Sequence, residues 1–199
     1  MKEEIQARFV ENIDRVKNLV TIYRDHLSGT GRGRKSHSKT DVLRASVVLL
    51  HACVEDLLRS LAYWKLPLAS NAVLDKIPLS SISPKDKFSL GALISHRGTT
   101  VDEVISASVN KYLEGTNYNN IDEISALLGS ISIETSSVNG NFGILNEYIL
   151  RRHQIVHRAD RDEQGGRGNH KVKSISVASV EKWIEAVEIF GNRVLSQVS

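Results

Sequence analysis

The side chains most able to do chemistry lie together in Glu147-Tyr148-Ile149-Leu150-Arg151-Arg152-His153-Gln154-Ile155-Val156-His157-Arg158-Ala159-Asp160. Read as a helix, this segment puts Arg152 between Tyr148 and Ile149 one turn before and Ile155 and Val156 one turn after. A permanent charge therefore interrupts an apolar stripe. A guanidinium keeps its proton, so burying it requires a carboxylate, a carbonyl or a phosphate as partner. His157 lies five residues on, with His153 one turn before it and Asp160 and Arg161 one turn after. Imidazole titrates near neutrality and can take or give a proton. Charge stabilisation by arginine and proton transfer by histidine are thus one reading. The other is a solvated face with an arginine in a structural ion pair, and spacing alone leans to it.

Further candidates are sparser. His51 and Glu55 are four apart and share a helix face, as a base with its orienting acid or as a satisfied, partly buried histidine. Glu55 could equally neutralise Arg152 or Arg151 across a helix pair. The single cysteine, Cys53, lies in an apolar stretch and reads as inert core; one cysteine also excludes an internal disulfide and a cysteine-based zinc site. No metal-ligand cluster is evident, so no metal or other cofactor is expected. Gly165-Gly166-Arg167-Gly168 lacks the strand and the following Lys-Ser/Thr of a phosphate loop. Trp64 and Trp183 read as core or interface anchors, and the aromatic residues are too scattered for a base-stacking platform.

Several helices must position these groups. Ile5, Phe9, Ile13, Val16, Val20, Tyr23 and Leu27 recur at helical spacing and predict one helix over 1–27, packed on its own core or, in the minority reading, used for dimerisation. Residues 28–39 contain three glycines and no large apolar side chain, which predicts a flexible loop. Its Arg32, Arg34, Lys35 and Lys39 face no acid, so it is either a solvated linker or a basic strap for phosphates. Thr40 and Asp41 offer an N-cap for a long helix to about Trp64, stopped by Pro67. Residues 66–84 read as irregular around a short helix at 71–76. Short helices follow at 85–97, after Thr99 and Thr100, and at 121–128. A helix over 141–159, a charged Gly-rich loop over 160–173 and a last helix over 177–198 complete the chain. The architecture expected is all-α: one domain over 1–199 with four long helices as a bundle core and short inserted helices at about 70–129.

Composition agrees with that reading. The chain has 199 residues, 41% of them hydrophobic and 25% charged, with only 3 prolines, which suits an ordinary folded domain. Met-Lys-Glu-Glu at the start has no apolar core behind it, so no signal peptide is expected, and the apolar run Val47–Val54 is too short to span a bilayer. A cytoplasmic protein without a membrane partner is the expectation. Net charge is only +3. Yet residues 151–173 hold seven Lys+Arg against three acids, and the 28–39 strap adds a further +4, so positive charge gathers beside the Arg/His segment. That favours a phosphate-bearing ligand; two basic loops are the plain alternative.

The run Arg152-His153-Gln154-Ile155-Val156-His157 fits the R-x4-H pattern of the HEPN superfamily, on the penultimate long helix of a four-helix core. The chain most resembles the RiboL-PSP-HEPN type. The likeness extends to Leu43–Arg59, to Phe88–Gly98, to Thr100–Ile105 and to Asn119–Ile124, and so covers most of residues 40–195. One departure is His153, where the superfamily often has Asn or Asp. The R-x5-H spacing from Arg151 also lies within the family's range, so Arg151 and Arg152 both remain candidates for the working arginine.

The resemblance implies an all-α HEPN-like fold and metal-independent RNA cleavage in a homodimer. His157 would act as base or acid around the ribose 2′-hydroxyl and the leaving oxygen, and Arg152 would stabilise charge on the phosphate. Products would carry 2′,3′-cyclic phosphate and 5′-hydroxyl ends. Arg151, His153 and Glu55 are supporting candidates; Arg158, Arg161, Arg32, Arg34 and Lys35 are candidates for binding RNA. A toxin or defence setting with an antitoxin-type protein partner is also implied, as is the alternative of a non-catalytic module that binds RNA or nucleotide or mediates dimerisation. Geometry sets a condition. Five residues at 3.6 per turn separate Arg152 from His157 by about 140° around an ideal helix, so both can serve one cleft only through reach, helix distortion or a partner subunit.

Overall fold

A computed structural model describes residues 1–29, 36–80, 90–161 and 171–198. Among them there is no named strand, and seven α-helices form the scaffold. They are α1 (Lys2–Ile22), α2 (His37–Lys65), α3 (Asn71–Leu74), α4 (Val101–Glu114), α5 (Ile121–Ser130), α6 (Phe142–Arg158) and α7 (Val177–Gln197). The fold is all-α, as its patterning predicts.

The four long helices α1, α2, α6 and α7 run up, down, up and down around one core. Their antiparallel pairing can be read from side chains whose partners step backwards along the next helix, as from Asn141 with Ala186 to Glu147 with Lys182. Arg8 on α1 donates to Asp56 on α2 at 2.8 Å, and Lys17 on α1 pairs with Glu188 on α7 at 2.6 Å. Lys182 on α7 pairs with Glu147 near the start of α6 at 2.7 Å. These pairs are well exposed and fix register more than they stabilise. Stability comes from the stripes. Ile5, Phe9, Ile13, Val16 and Val20 of α1 are buried, and so are Val180, Ile184, Val187, Gly191 and Val194 of α7. At Gly191 the two helices come so close that a Cβ would lie 2.3 Å from Phe9 Cζ. The absent side chain lets the Phe9 ring lie against the α7 backbone.

Several boundaries differ from expectation for local reasons. The last turn of the first helix, Tyr23–Leu27, is π-helical. The second helix begins at His37 with Ser36 as its N-cap residue, not at Thr40 or Asp41. The Thr40 hydroxyl accepts instead from Arg44 at 2.7 Å, so it is already engaged inside the first turn. The segment before Gly98 is a 3-10 helix over Leu90–His96, and Gly98 leaves it at φ +80°. Thr100 does cap α4: Glu103 N–H donates to its hydroxyl and the Glu103 carboxylate accepts from Thr100 N–H, a capping box. The 130–140 stretch contains two 3-10 turns, Thr135–Ser137 and Asn139–Asn141. The inserted helices α4 and α5 pack on α2 and α3 packs on the Leu66–Leu68 turn that follows it; Arg59 of α2 fixes the end of α4 by donating to the carbonyls of Leu113 and Thr116. Among the described residues, no helix is long and apolar enough to cross a membrane.

Candidate functional site

Helix α6 places the Arg/His segment. Leu145, Tyr148 and Ile149 are buried and hold it on the bundle, while Leu150, His153, Val156 and His157 are exposed. Arg151 and Arg152 sit between these faces, half-buried.

Arg151 has a structural occupation. Its NH2 donates to Asp160 Oδ2 at 2.8 Å and to the Ser174 carbonyl at 3.0 Å. Asp160 is fully buried and also accepts from Arg44 Nε of α2 at 2.7 Å. Arg44 in turn donates to the Lys173 carbonyl at 2.7 Å. Burial pulls the Arg151 pKa down from its ordinary value and Asp160 opposes that pull. What makes the clamp possible is the end of α6. Ala159 and Asp160 take left-handed backbone, φ 49° and 58°, and Asp160 N–H bonds the Gln154 carbonyl at 3.1 Å. That turn directs the Asp160 carboxylate back into the bundle. An isolated antiparallel bridge between Arg161 and Val172 then closes the base of the loop.

Arg152 has a different environment. Its NH1 donates to Asn119 Oδ1 at 3.0 Å, and its Nε is buried without a hydrogen-bond partner among the described residues. Across from it on α2 stand His51, 1% exposed, and Glu55. His51 Nε2 lies 3.6 Å from Glu55 Oε1, and its ring faces Tyr148 with centroids 6.2 Å apart. The His51 imidazole first, then Arg152 and Arg59, hold the Glu55 carboxyl below the usual carboxylate range, against the opposing effect of burial. Burial pushes the phenols of Tyr118 and Tyr148 up, and among the described residues the Tyr148 hydroxyl has no hydrogen-bond partner. The helix pair thus encloses a polar layer whose negative centre is Glu55 and whose outermost cation is Arg152. Arg152 acts on the Glu55 carboxyl through space, with no direct ion pair between them among the described residues. His51 is deeply buried rather than partly buried as the sequence suggests, and among the described residues its closest polar contact is the 3.6 Å approach to Glu55, too long for a hydrogen bond.

His157 is on the outer side of α6. Its ring meets His153, with centroids 4.5 Å apart and planes tilted by 44°. Among the described residues Arg152 bonds Asn119 while His157 meets His153, so the two point to different neighbours, as the helix angle anticipates. His153 and Arg158 instead line a groove of about 580 Å³ between α6 and the start of α7, with Gln154, Lys173, Ser179 and Trp183. Arg161 is exposed at the loop bridge. Arg32, Arg34, Lys35 and the Gly165–Gly168 run lie outside the described residues. Cys53 is buried, and burial pushes its thiol up to about 11, in keeping with an inert core residue. Trp183 is buried and donates to Glu147 at 3.2 Å.

Two functional partners escape sequence reasoning. Asn119, the partner of Arg152, lies 33 residues away on the loop before α5. Arg44 lies 116 residues from Asp160, and its only sequence signal is a cation beside Leu43 in an apolar helix face.

A family model described as RiboL-PSP-HEPN matches residues 10–198. No curated protein and no solved structure matches the chain.

Proposed function

Because this chain belongs to the RiboL-PSP-HEPN family, we propose that it is a metal-independent endoribonuclease whose working pair is Arg152 and His157. The observation that carries this reading is the contrast between adjacent arginines on α6. Arg151 is bound through its terminal nitrogen to a buried carboxylate, whereas among the described residues Arg152 bonds the side-chain amide of Asn119 and no carboxylate. A cation kept in place but not neutralised by a direct carboxylate contact is suited to a phosphate.

In this mechanism the His157 imidazole removes the proton of a ribose 2′-hydroxyl. The 2′-oxygen attacks the adjacent phosphorus, and the 5′-oxygen departs with a proton supplied by a second imidazole. Arg152 stabilises the charge that grows on the non-bridging oxygens. The products are a 2′,3′-cyclic phosphate and a 5′-hydroxyl. Glu55 positions Arg152 electrostatically, and Arg158 and Arg161 bind the RNA backbone beside the groove.

A second copy of the chain completes the site. The outward face of α6 exposes Leu150 by 60% and Val156 by 48%, apolar surface on either side of His153 and His157. Pairing two such faces covers this surface and brings the histidines of one chain toward the arginine of the other. A toxin or defence effector, restrained by an antitoxin-type partner, is the setting that the family suggests.

The separation of Arg152 from His157 within one chain favours one alternative, a module that binds RNA without cutting it. Labelled RNA incubated with purified protein in excess EDTA distinguishes the two. Wild-type protein cleaves, and His157→Ala and Arg152→Ala each lose at least about 10²-fold in rate, the lower range for removal of a general acid–base group or an oxyanion contact. Binding with no cleavage by wild type supports the alternative, and equal cleavage by all three proteins refutes the assignment.

A further inference from the structure

We propose that His153 and His157 form a chelating site for a transition-metal ion of the Zn²⁺, Ni²⁺ or Cu²⁺ class, placed to switch off the α6 surface. Two histidines at i and i+4 on a helix present their rings to the same point, the arrangement that holds zinc in helical metal sites. Here the ring centroids are 4.5 Å apart with planes tilted by 44°, close enough for rotation about the side-chain bonds to bring one nitrogen of each ring onto a shared ion. Both residues are exposed in the single chain, and a cleft between two copies that admits RNA also admits an ion.

The neighbouring side chains decide which ions bind. Among the described residues, no group of three or more His, Cys, Asp and Glu is placed to hold a metal, so the two imidazoles are the protein ligands and water completes the shell. Glu147 does not compete, because it is paired with Lys182 and Trp183, and Asp160 is held by Arg44 and Arg151. The arginines at 151, 152 and 158 weaken the binding of every cation alike, so only ions with strong imidazole bonds are held. Mg²⁺, which needs oxygen ligands, therefore gains nothing here. Ions that favour imidazole nitrogen follow the order Cu²⁺ above Ni²⁺ and Zn²⁺.

An ion held at this pair occupies the nitrogen lone pair with which His157 would accept a proton. It therefore inhibits cleavage while playing no part in it. That consequence rests on the ribonuclease reading, whereas binding itself does not.

The test is calorimetric titration of untagged, EDTA-stripped and dialysed full-length protein with NiCl₂ and, separately, MgCl₂. Wild type shows saturable Ni²⁺ binding, and paramagnetic broadening removes the ring proton signals of His153 and His157. His153→Gln and His157→Gln each weaken binding by more than about tenfold, since loss of even an outer-shell partner of a metal ligand costs that much. His26→Gln, on α1's terminal turn, binds like wild type, and Mg²⁺ gives no heat. Circular dichroism melts check that the exposed substitutions leave the fold intact. Undiminished Ni²⁺ binding by His153→Gln, or no saturable binding by wild type at millimolar Ni²⁺, overturns the proposal whatever the RNA assay gives.

Discussion

Glu55 is the residue on which the polar layer between α2 and α6 depends. Its carboxyl is held below the ordinary carboxylate range by His51, Arg152 and Arg59. A group whose folded pKa is lowered stabilises the fold above its unfolded pKa, about 4.3 for Glu, and loses that contribution as pH falls through the lowered value. Glu55→Gln is therefore expected to unfold at lower denaturant than wild type at pH 7, with the gap closing below about pH 4; paired urea melts at the two pH values check this. A gap of constant size would mean that Glu55 acts by packing rather than charge. At the same scale, Arg152→Lys should recover little of the activity lost in Arg152→Ala. Lysine is a compact point charge and lacks the planar fork that bonds Asn119 while leaving donors for a phosphate. Rates of the two variants on one RNA substrate measure this.

Element packing gives two tests that do not depend on catalysis. Gly191→Ala drives a methyl into the Phe9 ring where α1 crosses α7. Both residues are in the core, so the clash is met by shifting the helices, at a cost of about 1–3 kcal/mol; chemical denaturation reports it directly. Asp160→Ala leaves Arg44 and Arg151 buried without their shared carboxylate. Removing one side of a buried pair costs about 3–5 kcal/mol, enough to make much of a domain this size marginal. Full stability in Asp160→Ala would show that the backbone carbonyls alone satisfy the two guanidinium groups. These elements also mark how far sequence carries. The stripes of α1 and α7 are visible from spacing, because a helix facing one core repeats every 3.6 residues. Thr100 and Glu103 are visible because a capping box is local. The Arg44–Asp160–Arg151 clamp is not, because its members meet only after α2 and α6 pack and after two left-handed residues turn the chain. For the same reason the sequence misses Ser36 as the start of α2: it cannot tell that Arg44 has taken the Thr40 hydroxyl.

For the whole molecule, the bundle topology brings α6 to the surface with one face on the core and one open. The all-α architecture, the four-helix core and the position of the Arg/His segment on the penultimate long helix are all legible before any coordinates, and the family match over 10–198 agrees. The different partners of Arg151 and Arg152 are not legible, since both arginines fit the spacing and the buried Asp160 lies beyond the end of the helix. Self-association belongs to this scale. The chain should sediment as a dimer, and Leu150→Glu, which puts a charge on the exposed α6 face, should give monomers that have lost cleavage but melt like wild type. Analytical ultracentrifugation beside the RNA assay checks both halves. A fully active monomer would remove the need for a second copy.

The central claim is that the ribose supplies the nucleophile and the protein supplies no metal. It is tested most directly with two oligonucleotides cut at one mapped position in excess EDTA, identical except that one has 2′-deoxyribose at the scissile nucleotide. The account predicts cleavage of the all-ribose strand, with 2′,3′-cyclic phosphate and 5′-hydroxyl ends by mass spectrometry, and none at the substituted position. Equal cleavage of both strands, or cleavage of the ribose strand only when a divalent ion is restored, would contradict it.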